Sequence, residues 1–91
     1  MINQNDIIVQ KKNIVSSSLD GEIVLMSLDN SSYYGLNYTA SKIWSILENP
    51  KKIEEIVKIL FSEYNVDYSL CEKETLQIVN DFYKNSLIDL I

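Results

Sequence analysis

Cys71 is the one thiol in this 91-residue chain, and no histidine stands anywhere to deprotonate it. A cysteine nucleophile needs a neighbouring base or a strongly lowered pKa. In the first turn of a predicted helix Cys71 gains only the helix dipole, so it reads as a semi-buried structural thiol. A lone cysteine also leaves neither a disulfide nor a closed cysteine-based zinc site. The thirteen carboxylates include close pairs, Glu54-Glu55 and Glu72/Glu74. Adjacent residues on a helix do not face each other, and neither pair has a cationic or nucleophilic partner nearby in sequence. Both read as solvated faces. Gly21 and Gly35 are the only glycines, so no phosphate-cradling loop is present. The side chains point to a protein that is not an enzyme and calls for no cofactor and no metal.

The charge balance narrows the choice of partner. All eight basic residues are lysine, there is no arginine, and the formal net charge is −5. Arginine is the residue best suited to bidentate grip on phosphate or guanine, and a DNA-binding surface needs a basic stripe. The lysine pairs Lys11-Lys12 and Lys51-Lys52 fall in loops or at element starts, and the third predicted helix sets Glu72, Glu74 and Asp81 against Lys73 and Lys84. Nucleic acid is therefore a disfavoured partner. No signal peptide is visible, since Met1–Asp6 is polar and Ile7-Ile8-Val9 is too short an apolar run. Nothing approaches the ~20 apolar residues that span a bilayer. The expectation is a cytoplasmic protein with no membrane partner.

These residues need a scaffold, and a chain of this length forms one domain, residues 1–91. Residues 1–12 read either as a flexible lead-in or as an extra strand. Asn13–Leu19 is β-permissive and runs into Asp20-Gly21, a strong two-residue turn signal. Glu22–Leu28 alternates with Ile23 and Leu25 on one face and Val24, Met26 and Leu28 on the other, which predicts a central strand covered on both sides. After the turn cluster 29–32, Tyr33–Leu36 forms the third strand of an antiparallel meander.

From Asn37 the period becomes helical. Asn37 is placed to cap a helix whose stripe is Ala40, Ile43, Trp44 and Leu47, ended by Pro50. The second helix presents Ile53, Ile56, Val57, Leu60, Phe61 and Tyr64 on one side. The third opens on a capping box from Ser69 to Glu72, with Leu76, Val79, Phe82 and Tyr83 facing inward. The order βββααα, a three-stranded antiparallel sheet followed by three helices, fits a winged-helix-like α+β domain.

The third strand of the meander lies at a sheet edge and carries two adjacent tyrosines and no charge. Proteins usually blunt such an edge with lysine, proline or a bulge. One tyrosine packs inside the domain, but neighbours in a strand point to opposite faces, so the other is left outside. An uncharged edge of this kind suits peptide binding by strand addition.

The run Asp20-Gly21-Glu22, Val24-Leu25-Met26, Tyr33-Tyr34-Gly35-Leu36-Asn37-Tyr38-Thr39-Ala40 and Ile43-Trp44 resembles the signature of PqqD-type proteins, the leader-peptide recognition elements of ribosomally made, modified peptides. Among these it is similar to the small stand-alone members of lasso-peptide pathways, over roughly Ile14 to Ile88. The resemblance implies a domain that does no chemistry. It implies that the leader segment of a precursor peptide adds as an antiparallel strand beside Ser32, Tyr33, Tyr34 and Gly35, with Leu76, Val79, Phe82 and Tyr83 as the opposite wall. It also implies a papain/transglutaminase-like leader protease as the next partner, after which a cyclase acts on the core peptide. Glu74 and Ser86 depart from the family pattern, which often has Asp and Gly there. Two other readings remain: a winged-helix DNA-binding regulator, and an adaptor that uses the same edge to dimerise.

Overall fold

The computed structural model describes residues 2–91; Met1, the first residue of the 1–12 segment, lies outside the described residues. Its elements are β1 (Ile7–Gln10), β2 (Ile14–Leu19), β3 (Glu22–Ser27), β4 (Tyr33–Gly35), α1 (Tyr38–Ile46), β5 (Lys51–Lys52), α2 (Ile53–Glu63), α3 (Tyr68–Lys84) and β6 (Ile88–Leu90). The meander is the antiparallel sheet β2-β3-β4. Asp20 and Gly21 both adopt positive φ, 53° and 84°, which is the two-residue hairpin turn whose twist matches the strands it joins.

A second sheet, β5-β1-β6, joins the two ends of the chain. The βββααα reading does not contain this sheet, although its β1 is the extra strand of one of the two readings of residues 1–12. Its strands have four, two and three residues, and their partners lie far apart in sequence. Ile8 sits at its centre, fully buried and paired with both Lys51 and Leu90.

The core lies between these sheets and the helices. The Asn37 Oδ1 accepts the Ala40 N–H at 2.9 Å, starting α1, and Ala40, Ile43, Trp44 and Leu47 are all buried. Trp44 meets Phe82 of α3 edge-to-face at 5.8 Å between ring centroids. On α2, Ile53, Ile56, Val57 and Leu60 are buried, whereas Phe61 stays exposed. Phe61 sits at the margin of the stripe and packs edge-on against Tyr68 instead.

Two further expectations are corrected here. The sheet β2-β3-β4 is covered on one face only: Leu25 is buried, but Val24 and Leu28, on the other face, are exposed. Apolar residues on both faces of β3 therefore do not mean burial on both. Helix α3 begins at Tyr68, not after a Ser69 cap, because the Cys71 N–H bonds back to the Asp67 carbonyl at 3.0 Å and draws Ser69 into the first turn. At its other end the Leu87 N–H returns to the Phe82 carbonyl (2.9 Å) and the Ser86 N–H to Tyr83 (3.1 Å), with Ser86 at φ 59°. This is a Schellman closure with serine in the left-handed position that glycine usually takes.

Candidate functional site

Strand β4 ends its sheet, and its register decides which of its backbone groups are free. Tyr33, Tyr34 and Gly35 stand opposite Met26, Leu25 and Val24. The Leu36 N–H donates to the Ile23 carbonyl (2.8 Å) and the Ser27 N–H donates to the Ser32 carbonyl (2.9 Å). Bonding positions alternate along an antiparallel pair, so residues 32, 34 and 36 turn their polar backbone groups toward β3. Tyr33 and Gly35 turn theirs the other way. Two N–H groups and two carbonyls thus face an edge to which no strand pairs among the described residues.

Side chains follow the same alternation. Tyr34 packs against the core, while Tyr33 is 71% exposed on the open sheet face. Beside the edge lies a cleft of about 450 Å³ between β4 and α3. Its floor is apolar and buried: Leu36, Ala40, Phe82 and Leu87. Its rim is Tyr33, Asn37, Ile78, Asp81 and Asn85. On α3 the spacing of Ile78, Asp81, Phe82 and Asn85 sets all four on one helix face. The Schellman closure folds Leu87 back under Phe82, which is how the end of α3 completes the floor.

The cleft brings together four of the residues expected at the site: Tyr33, Tyr34, Gly35 and Phe82. The other four lie elsewhere. Ser32 flanks β4 with both backbone groups engaged, its N–H by the Asn30 side chain at 3.0 Å and its carbonyl by Ser27. Val79 has no exposed surface, and Leu76 is partly buried against the same core. Tyr83 is exposed over a separate depression beside Lys11, Lys84 and Asp89. The wall of the cleft is therefore the neighbouring stripe of α3. Apolar periodicity marks the face that packs in the core, and the cleft uses its flank. Sequence reasoning does not assign Ile78, Asp81, Asn85, Leu87, Asn37 or Ala40 to the site; Ile78, an apolar residue next to Val79 but outside the predicted inward stripe, is the one signal of that flank.

Charge and chemistry are sparse here. Among the described residues, Asp81 is the only charged side chain lining the cleft. Cys71 lies away from it, buried, with its thiol directed at the Val57 carbonyl at 3.8 Å. Burial pushes this thiol above its ordinary pKa, against a lowering hydrogen bond from Thr75. No cluster of three or more metal-ligating side chains exists among the described residues, and no described helix is long and apolar enough to cross a membrane. The arrangement offers an unpaired strand edge, an apolar trough and one carboxylate, which suits the capture of an extended peptide.

The family model for coenzyme PQQ synthesis protein D (PqqD) matches residues 22–88. The structure of TbiB1 in complex with the TbiA(beta) leader peptide is 33% identical and superposes with a TM-score of 0.83, covering 89% of this chain and 94% of that one. Lasso peptide synthetase B1 complexed with the leader peptide shares the fold at 23% identity and a TM-score of 0.79, over 90% of this chain and 96% of that one. So does the PqqD truncation of Methylobacterium extorquens PqqCD, a stand-alone recognition element for ribosomally synthesised, modified peptides. It is 13% identical with a TM-score of 0.81, over 98% and 95% of the two chains. No curated protein sequence matches. The motif order from Asp20 to Trp44, the β2-β3-β4 sheet with its three helices and the matched stretch from Glu22 to Ile88 agree, and the chain belongs to the PqqD family.

Proposed function

We infer that the chain binds the leader segment of a ribosomally made precursor peptide, as an added antiparallel strand on β4 lying against α3. The observation that carries this reading is the pair of outward-facing residues, Tyr33 and Gly35, at the lip of an apolar cleft. The leader complex of its 33%-identical relative TbiB1 supports it. The domain itself does no chemistry. It holds the precursor for a papain/transglutaminase-like protease, after which a cyclase acts on the core peptide.

Strand addition sets rules for the peptide. Residues opposite Tyr33 and Gly35 exchange backbone hydrogen bonds and point to the open sheet face. Those between and beside them, opposite Tyr34 and Leu36, point to the cleft floor. Four backbone bonds at ~1 kcal/mol net each are roughly offset by the ~1–2 kcal/mol cost of ordering each peptide residue. Affinity therefore rests on apolar anchors at alternate positions, seated over Leu36, Phe82 and Leu87. Asp81 at the rim favours a basic or hydrogen-bond-donating side chain next to them.

Titration calorimetry and amide NMR with the TbiA(beta) leader peptide, and with the leader of this chain's own precursor, test the proposal. Binding of a leader with line broadening or shifts at Tyr33, Gly35 and Ile78 amides is the expected result. A bound leader that perturbs none of the three would move the site elsewhere. Retention of genomic DNA fragments at moderate salt with no leader binding would favour the regulator reading instead.

A further inference from the structure

Strand β2 is a second open edge, on the side of the sheet opposite β4. It is twice as long, six residues against three. From Ile14 to Leu19 it carries no charge, no proline and no bulge, and its residues are exposed apart from the half-buried Ile14. Its backbone register follows from the two-residue turn. Leu19 and Glu22 close the hairpin, so Leu19, Ser17 and Val15 bond to β3, and Ser18, Ser16 and Ile14 turn their N–H and carbonyl groups outward. None of these outward groups has a backbone partner in the described residues. Proteins ordinarily protect such a strand.

The ends of this strand carry opposite charges. Lys11, itself paired with Asp89 at 3.7 Å, and Lys12 precede it, and Asp20 and Glu22 follow it. Neither Lys12 nor Asp20 takes part in an ion pair among the described residues. A strand that is neutral in the middle, basic at its start and acidic at its end is complementary to itself run backwards.

We propose that β2 pairs with β2 of a second copy of this chain, antiparallel and centred on Ser16. In this register Ser16 faces its own counterpart, Ile14 faces Ser18, and the Lys12 end of each copy lies beside the Asp20 end of the other. The two sheets become one of six strands in the order β4-β3-β2-β2-β3-β4. Helix α1 packs on β3 in each copy. The two β3 strands are three strand spacings apart, about 14 Å. That exceeds the ~8–10 Å between packed helix axes, so the helices fit side by side. Both β4 edges remain open at the outer limits of the sheet, and the pairing leaves each cleft free.

Sedimentation equilibrium of the full chain from micromolar to millimolar concentration provides the test. The mass should rise from monomer to dimer and stop there. Ser16→Lys sets like charges directly opposite each other and should raise the dissociation constant at least tenfold. Gly35→Pro, on the other edge, should leave it unchanged. Cross-linking checks the register in a Cys71→Ser background. The two Ser16 Cα atoms are about 5.5 Å apart in a hydrogen-bonded pair, within the ~4.4–6.8 Å of a disulfide. The two Ser18 Cα atoms are about 14 Å apart. Ser16→Cys should form a linked dimer under mild oxidation, and Ser18→Cys should not. A monomer at every concentration overturns the proposal. So does a dimer abolished by Gly35→Pro but not by Ser16→Lys, or equal cross-linking at both positions. If Ser16→Lys proves poorly folded, the cross-linking pair decides alone.

Discussion

Gly35→Pro separates the role of the β4 edge from its place in the fold. The Gly35 N–H faces outward, so proline removes a donor that the domain itself does not use. The pyrrolidine ring then occupies the side from which a paired strand approaches. One lost hydrogen bond is worth ~0.5–1.5 kcal/mol, and a peptide carbonyl left without a donor at the lip of the cleft adds about 1 kcal/mol or more. The sum, about 1.5–3 kcal/mol, is roughly a 10- to 150-fold loss of leader affinity. Gly35→Ala is the control, because a Cβ at this position meets nothing within 4 Å. Its N–H is retained, and its affinity should stay within about threefold of the parent, under 1 kcal/mol. Tyr34→Pro is the counter-control: its N–H points to β3, and losing a ladder bond next to buried Leu25 should lower the melting temperature instead. Titration calorimetry with the leader and thermal melting by circular dichroism are run on all three. A folded Gly35→Pro variant with unchanged affinity, or one that melts as early as Tyr34→Pro, would refute the assignment of the free edge.

Asp81→Lys should weaken a leader carrying a basic residue at the rim by about 0.5–2 kcal/mol, since a solvent-exposed attraction becomes a repulsion of similar size. Raising the salt concentration should shrink that difference, and calorimetry in low and high salt measures it. Ser86→Gly should stabilise the domain by about 1 kcal/mol, because the serine bears a left-handed backbone that glycine adopts freely. A chain of this size gains roughly 4–8 °C in Tm for that amount; no rise would mean that the Schellman turn is looser than described. Cys71→Ser should leave leader binding within about threefold, less than 1 kcal/mol. It should also change the alkaline limb of stability. Burial raises the thiol pKa in the folded protein, so the unfolded chain loses its proton first. The thiol's contribution is complete below the unfolded-chain pKa and is lost as pH rises through the folded value. Urea unfolding across this range should show the parent losing stability relative to Cys71→Ser.

Local chemistry made part of this structure legible. Asp20-Gly21 predicts its own turn, Asn37 its own cap, and Ala40 to Leu47 their own buried stripe, because each of these depends on residues within one or two turns of chain. The sheet β5-β1-β6 has no such signature. A two-residue strand at Lys51-Lys52 looks like a solvated lysine pair until Ile7 and Ile8 are set beside it. The cleft falls between these cases. Its edge is readable, since two uncharged tyrosines in a terminal strand are unusual. Its far wall is not, because Ile78, Asp81 and Asn85 are chosen by the rotation of α3 about its axis, which the core residues Val79 and Phe82 fix. Val24 and Leu28 show a further reason: an apolar pattern records hydrophobicity, and only assembly decides what is covered.

The joining of the chain ends sets the order in which this molecule comes apart. Ile8 and Leu90 pair from near opposite ends of the sequence, and the Lys11 N–H holds the Leu87 carbonyl at 3.0 Å. Contacts that close so long a loop form late in folding. With few residues in each strand, they also open at low free energy, ahead of the helices. Leu87 belongs both to this seam and to the cleft floor. Opening of the β5-β1-β6 sheet therefore loosens the trough while α1, α2 and the β2–β3 hairpin stay folded. A ligand seated over Leu87 closes the seam in turn, and slower amide exchange at Ile8 and Lys11 registers an event at an edge that neither residue touches.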